Sequence, residues 1–379
     1  MIKSYSFTYS STDEISIKLN NALKDMDFKP TLAFCFISVD MQIKPLMKEF
    51  DNNGIKLFGA SSCGEFLLDD KQEIISEKSA VITLTDIPED NFDIICKARG
   101  DEDSKIFGNA LGDRINKCKY DASVIIAASG LTLDGQALVE GIIEKNSEDL
   151  IMYGGLAGDD SMFEGTYVFT EKEILENGSA MLLLNKDKIH ISGIASSGWI
   201  GLGADLKVTK SENNIVYTID DKPALDVYKS YLSVTDEELP AIGVEFPLMI
   251  KRQNGQSALR AVVGIDRDER SLIFAGSVPE NSIVTFSSSP GFEVVQTTTS
   301  KLEGFYKEDS EADLFILFSC MARHLALGPM VNQEIKYASE TWKAPIIGFF
   351  TYGEIGMNSS NNCDFFNQTY TLVKLKSKN

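Results

Sequence analysis

The sequence predicts a mixed α/β (α+β) fold of duplicated β-α-β-hairpin units, whose mixed sheets are covered by helices and arranged in two packed halves. Three observations predict it. A glycine turn that closes on a carboxylate occurs three times, as Gly59-Ala60-Ser61-Ser62-Cys63-Gly64-Glu65, Tyr153-Gly154-Gly155-Leu156-Ala157-Gly158-Asp159 and Gly348-Phe349-Phe350-Thr351-Tyr352-Gly353-Glu354. Each turn is preceded by an apolar run ending in serine, Phe34 to Ser38, Val124 to Ser129 and Leu314 to Ser319, with a helix-length segment between. Each is followed by a further strand-like run, Ala80 to Leu84, Ala180 to Leu184 and Thr369 to Leu375. Self-similarity at this scale marks repeated supersecondary structure.

The elements follow in chain order. Tyr5, Phe7 and Tyr9 alternate as in a half-buried strand, and Ser11 with Glu14 has capping-box spacing ahead of Ile15, Leu19, Leu23 and Met26 at helical intervals. Asp93 to Ala98 with Phe107, Leu111 and Ile115 repeats that prelude before the second copy. Ser282 to Phe286 is expected to repeat it before the third, with Pro290 opening a helix that carries Val295, Thr299, Leu302 and Phe305. Between Lys188 and Val278 no comparable glycine turn occurs. That stretch reads as a degenerate fourth copy: a strand over Ile189 to Ser197, a hairpin around Glu212 to Ile215, a short helix over Pro223 to Tyr231, a strand over Ile242 to Ile250 broken by Pro247, and a hairpin across Asp266 to Arg270. The halves divide as residues 1–186, with two copies, and 187–379, with the degenerate copy and the third clear one. No Pro-, Ser- or Gly-rich linker marks the join, so the halves should pack together.

Composition narrows the function classes. With 36 basic against 56 acidic residues the formal charge is -20, which opposes nucleic-acid phosphates and anionic membranes. There is neither a leading apolar segment behind a basic start nor an apolar run long enough to span a bilayer, so a soluble cytoplasmic protein is expected. Six scattered cysteines without C-x-x-C or zinc-type spacing fit a reducing compartment and give no metal site.

In sheets of this type, loops at the carboxyl ends of parallel strands gather ligands. Those ends are Ser38 to Met41, Ser129 to Asp134 and Cys320 to Gly328. The glycines admit two readings, tight-turn geometry alone or backbone N–H nests for an anion at Gly64, Gly158 and Gly353. Glu65, Asp159 and Glu354 either cap their own turns or face a ligand. Arg323, in the loop after Cys320, either takes a carboxylate bidentately or forms a salt bridge with a turn carboxylate. Paired with Glu354 or Asp159 it would suit a zwitterion. The candidate ligand-binding set is therefore Ser62, Cys63, Gly64, Glu65, Gly155, Gly158, Asp159, Cys320, Arg323, Tyr352, Gly353 and Glu354. Cys63 and Cys320 are the only nucleophile candidates; with His190 and His324 as the only histidines, a packed thiol is the expectation and an enzyme is not.

The run Phe58 to Glu65, the Gly154-Gly155-Leu156-Ala157-Gly158-Asp159 turn, and Gly198-Trp199 through Val208-Thr209 to Asp220 and Pro223-Ala224-Leu225 resemble the FIST N domain. Phe318-Ser319-Cys320-Met321-Ala322-Arg323, then Glu334, then Pro345 to Gly356 resemble FIST C, so the resemblance covers nearly the whole chain. It implies an intracellular sensory module that binds a small ligand such as an amino acid and signals through a partner, a histidine kinase or chemotaxis-type protein. No cofactor is expected. Some relatives bind haem and sense nitric oxide, which makes His324 the candidate axial ligand in that alternative.

Overall fold

The computed structural model describes residues 1–147, 149–252 and 257–378. The first unit comprises β1 (Ser4–Tyr9), α1 (Ile15–Asp25), β2 (Leu32–Ile37), α2 (Ile43–Asn52), β3 (Lys56–Ser61), the hairpin β4 (Glu65–Leu68) and β5 (Glu73–Ser76), and β6 (Ala80–Thr85). The second repeats it as β7 (Phe92–Ala98), α3 (Ser104–Ile115), β8 (Ala122–Ala128), α4 (Gly135–Glu144), β9 (Met152–Leu156), β10 (Val168–Phe169), β11 (Ile174–Leu175) and β12 (Gly178–Asn185).

The third unit opens with β13 (Ile189–Ser196) and is then interrupted. The interruption comprises β14 (Ile200–Glu212), β15 (Ile215–Ile219), β16 (Lys222–Pro223), α5 (Ala224–Leu232), α6 (Leu239–Glu245), β17 (Leu248–Lys251), β18 (Ser257–Arg260), β19 (Val262–Asp266), β20 (Ser271–Phe274) and β21 (Ile283–Ser288). The unit resumes with α7 (Phe292–Glu308), β22 (Leu314–Cys320), α8 (Met321–Leu327), α9 (Val331–Trp342), β23 (Ile346–Thr351), the hairpin β24 (Glu354–Met357) and β25 (Cys363–Phe366), and β26 (Tyr370–Ser377).

Each unit builds the same sheet, and each lends its hairpin to a neighbour. The strand orders are β1-β6-β2-β3-β10-β11, β7-β12-β8-β9-β24-β25 and β13-β26-β22-β23-β4-β5. Unit one thus receives the hairpin of unit two, unit two that of unit three, and unit three that of unit one, closing a ring. In every sheet the two strands joined by the crossover helix are parallel and the others antiparallel.

The apolar runs explain why both faces are covered. Leu32, Phe34 and Phe36, Ile125 and Ala127, and Ile316 and Phe318 point into one central core shared by the three sheets, where Phe36 and Phe349 rings lie 4.4 Å apart. The alternate residues, Ala33, Cys35 and Ile37, Val124 and Ile126, and Phe315 and Leu317, face outward against each unit's own helices.

Three expectations are corrected. Residues 200–288 are not a fourth copy of the unit; they form an all-antiparallel sheet of order β18-β17-β21-β14-β15-β20-β19, with its own core around Tyr228, Phe274 and Phe286. The outer strand of the third unit is β13, which pairs along its length with β26, and Ser282 to Phe286 belongs to the inserted sheet. Alternation alone cannot say which sheet a strand joins. Finally, Ile242 falls in α6 and only Leu248–Lys251 is strand, since Pro247 holds Phe246 out of helical geometry (φ -117, ψ 67). Among the described residues no helix is long and apolar enough to cross a membrane.

Candidate functional site

The hairpin exchange brings the three glycine turns together. The Cys63 N–H donates to Phe350 O and the Phe350 N–H to Gly64 O; the Gly158 N–H donates to Ser61 O and the Asp160 N–H to Ser62 O; the Leu156 N–H donates to Gly353 O and the Tyr352 N–H to Leu156 O. Contact is too close for side chains: a Cβ on Gly158 would stand 2.4 Å from Cys63 Sγ, and one on Gly155 2.7 Å from Thr351 Cγ2. Gly64 alone of the turn glycines tested as nests has a left-handed backbone, at φ +115, and the Gly158 amide is already committed to a neighbouring carbonyl.

Two of the turn carboxylates occupy equivalent positions. Glu65 accepts from the hydroxyl of Ser62, three residues earlier, and from Ser79 N and Oγ at 3.2 and 2.6 Å. Glu354 accepts from Thr351 Oγ1 at 2.6 Å and Thr369 N at 3.2 Å. Both are fully buried, and burial lifts each to about 8 against the opposing pull of these donors. Their folded pKa exceeds the unfolded value of about 4.3. Their contribution to stability is therefore complete below that value and lost as pH rises towards 8. The urea midpoint should fall between pH 5.5 and 8.5, and Glu65→Gln with Glu354→Gln should flatten that dependence; an unchanged slope in the double variant would exclude these carboxyls as its source.

Asp159 closes its own loop, accepting from the N–H groups of Phe163, Glu164 and Gly165 at 3.1, 2.7 and 3.0 Å, and it also accepts the Tyr352 hydroxyl. Cys63 lies beside this pair, 2% exposed, and burial pushes its thiol up to about 11. Burial pushes the Cys320 thiol up as well, with Glu354 adding to it. Both sulfurs are thiols at neutral pH, the weak form of the nucleophile.

Arg323, expected in a loop, lies instead in helix α8 and is fully buried. Its Nε donates to Glu334 Oε2 at 2.9 Å, its Nη2 to Glu334 Oε1 and to Thr298 Oγ1 at 2.9 Å, and its Nη1 to the carbonyls of Ser197 and Gln368. All five N–H groups are engaged, and the guanidinium lies 5.5 Å from the Trp199 ring. The zwitterion arrangement thus lacks a free donor here: the salt bridge is made, with helix α9 rather than with a turn. His324 lies flat on Phe350, ring centroids 4.1 Å apart, with Nδ1 buried and unpartnered. The His324 residue as a whole is half-buried, and that partial burial pulls the pKa of its imidazole down.

Two clefts flank β25. One of about 200 Å³ lies over the Arg323 network, between the inserted sheet (Ser257, Leu259) and Ser197, Lys301, Asn367 and Thr369. The Lys301 ammonium donates to Ala195 O at 3.1 Å and pairs with no carboxylate among the described residues. Partial burial of the amino group, then the Arg323 cation, pull its pKa down. Asn367 is 2% exposed and its Oδ1 has no hydrogen-bond partner among the described residues. The other cleft, about 380 Å³, is lined by Tyr352 alone of the twelve expected residues. Lys301 escaped notice because it projects from the exposed side of α7, where a lysine is unremarkable; Asn367 follows three aromatic or acidic strand residues with no motif of its own.

The chain matches the FIST N domain over residues 31–222 and the FIST C domain over residues 224–357. It belongs to the FIST family. A search of curated proteins finds no match. FIST domains are sensory and signal-transduction domains, and in this FIST protein the boundary between the two matched regions, near Pro223, falls inside the inserted sheet and its first helix rather than at the junction of units.

Proposed function

We propose that this FIST protein is a cytoplasmic, non-enzymatic sensor of a small polar metabolite such as an amino acid, held in the 200 Å³ cleft and reported to a partner such as a histidine kinase or chemotaxis-type protein. The observation that carries the reading is that one cleft holds both Lys301, a cation without a carboxylate, and Asn367 Oδ1, a buried acceptor without a donor, among the described residues. Buried polar atoms are normally paired, so an unmade bond of this kind favours a ligand that brings the partner. The ammonium would take a carboxylate and the amide oxygen an N–H or O–H. The volume is below the roughly 300–1,000 Å³ of drug-sized sites and suits a compact metabolite.

A ligand here would bridge Ser257 and Leu259 of the inserted sheet to Lys301 and Thr369 of the three-unit core. It would shift their packing only through different affinity for two arrangements, and that shift is what a partner would read. The protonated state of Cys63 and Cys320 favours binding over covalent chemistry.

The test is a thermal-shift screen against amino acids and small organic acids, since a ligand of the folded state raises the melting temperature by mass action. At least one carboxylate-bearing compound should raise it, and Lys301→Met should weaken that compound at least tenfold. A screen without a hit, or a Lys301→Met protein that binds as well as the wild type, removes the proposal.

A further inference from the structure

The larger cleft has different chemistry and lies on the other side of β25. Its walls are the β8–α4 loop, Gly130 to Gly135, the inserted sheet from Ile273 to Gly276 with Val263, and the rings of Phe163, Tyr352 and Phe365. Large apolar side chains left in water converge on its mouth: Phe163 is 57% exposed, Val263 42% and Leu131 39%. Phe163 and Tyr352 are stacked, centroids 5.1 Å apart and planes 5° from parallel. Phe163 holds this position from a left-handed backbone, φ 57, in a loop where Asp160 and Ser161 are left-handed too. Such conformations cost a non-glycine residue about 1 kcal/mol or more and persist where surrounding structure enforces them.

Charge adds a second constraint. Among the described residues Asp134 is the only charged one lining the cleft, and its carboxylate is occupied: Oδ1 accepts from Gln136 N at 2.9 Å and Ala137 N at 3.2 Å, and Oδ2 from Ser277 Oγ. Behind Gly276 lies the buried Arg260, whose Nε would be 3.0 Å from a Cβ at that glycine. The two opposite charges flank the wall and leave the cavity no net charge for a ligand to answer.

We infer that this cleft is a second ligand site, specific for an uncharged, flat, apolar molecule of one or two rings. The ligand lies against the Phe163–Tyr352 stack, where ring faces and edges supply favourable offset or edge contacts. Its other face meets Val263 and Phe274 of the inserted sheet. Tyr352 also donates its hydroxyl to Asp159, so a molecule here touches the ring of turns directly. The site is independent of Lys301, which lines the smaller cleft and not this one.

The experiment is a titration of the full chain with 6-propionyl-2-(dimethylamino)naphthalene, a neutral two-ring probe whose emission shifts to the blue on leaving water. Saturable one-to-one binding is expected, weakened at least tenfold by Phe163→Ala and by Val263→Asp and unchanged by Lys301→Met. Both weakening substitutions are at exposed positions, and an unaltered melting temperature certifies the fold. Non-saturable binding, equal binding by both variants, or equally tight binding of an anionic naphthalene sulfonate overturns the assignment, whatever the amino-acid screen returns.

Discussion

Replacing Arg323 with alanine is expected to destabilise the protein by about 3–5 kcal/mol, the usual consequence of removing one partner from a buried ion pair. The expectation rests on complete burial of both Arg323 and Glu334, each 0% exposed. Without the guanidinium, the Glu334 carboxylate stays in the core of α9 with its two strongest donors gone. The Ser197 and Gln368 carbonyls and the Thr298 hydroxyl lose a donor as well. The four partners belong to the end of β13, α7, α9 and the β25–β26 turn, so one side chain ties the third unit together across its interruption. Urea unfolding followed by tryptophan fluorescence measures the loss. An apolar pair, Arg323→Met with Glu334→Leu, should recover much of it, because the cost lies in the orphaned charge. A loss below about 1 kcal/mol for Arg323→Ala would mean that the pair is solvated, as exposed pairs are.

The parts of this fold that could be read in the sequence are those fixed by local burial. Leu32–Ile37, Ala122–Ala128 and Leu314–Cys320 are buried at every position, so they appear as predominantly apolar runs, and the crossover helix that follows each one comes from the chain geometry of a parallel pair. The strand after each turn was legible, but the hairpin between turn and strand was not, because its short strands lie in a stretch that reads as a polar spacer. Nor was its destination: Phe66 pairs with Gly348, far along the chain, and an edge strand offers the same N–H and C=O groups to any partner. The interruption was misread for a related reason. The strand β21 reads in the sequence as a unit's outer strand would, and only its pairing with β14 and β17 assigns it elsewhere. At the site, the junction of the glycine turns was legible in their repetition, whereas the role of Arg323 depended on Glu334, one helix later, and Lys301 and Phe163 carried no pattern at all.

A chain of residues 1–186 is expected to lack a cooperative fold, although it contains two complete sequence copies. Its β4–β5 hairpin would have no sheet to join, because Glu65–Leu68 pairs with Ile346–Phe349 of β23. The β9 edge, normally covered through Gly154 and Gly155 by β24, would be bare, and exposed edges of this kind favour aggregation. The central core would also be opened. Among the described residues, nine of its 27 buried ones, including Phe318, Phe349 and Val373, lie beyond residue 186. At roughly 1.5–3 kcal/mol for each large apolar side chain, their loss matches or exceeds the whole stability of an ordinary domain, about 5–15 kcal/mol. The fragment should therefore show weak near-ultraviolet circular dichroism and no sharp thermal transition. Mixing or co-expressing it with residues 187–379 should restore both, since the missing strands arrive with the second piece. A cooperative transition from residues 1–186 alone would mean that the exchanged hairpin can fold back onto its own unit, and the closed ring of three sheets would then be a convenience of packing rather than the condition for folding.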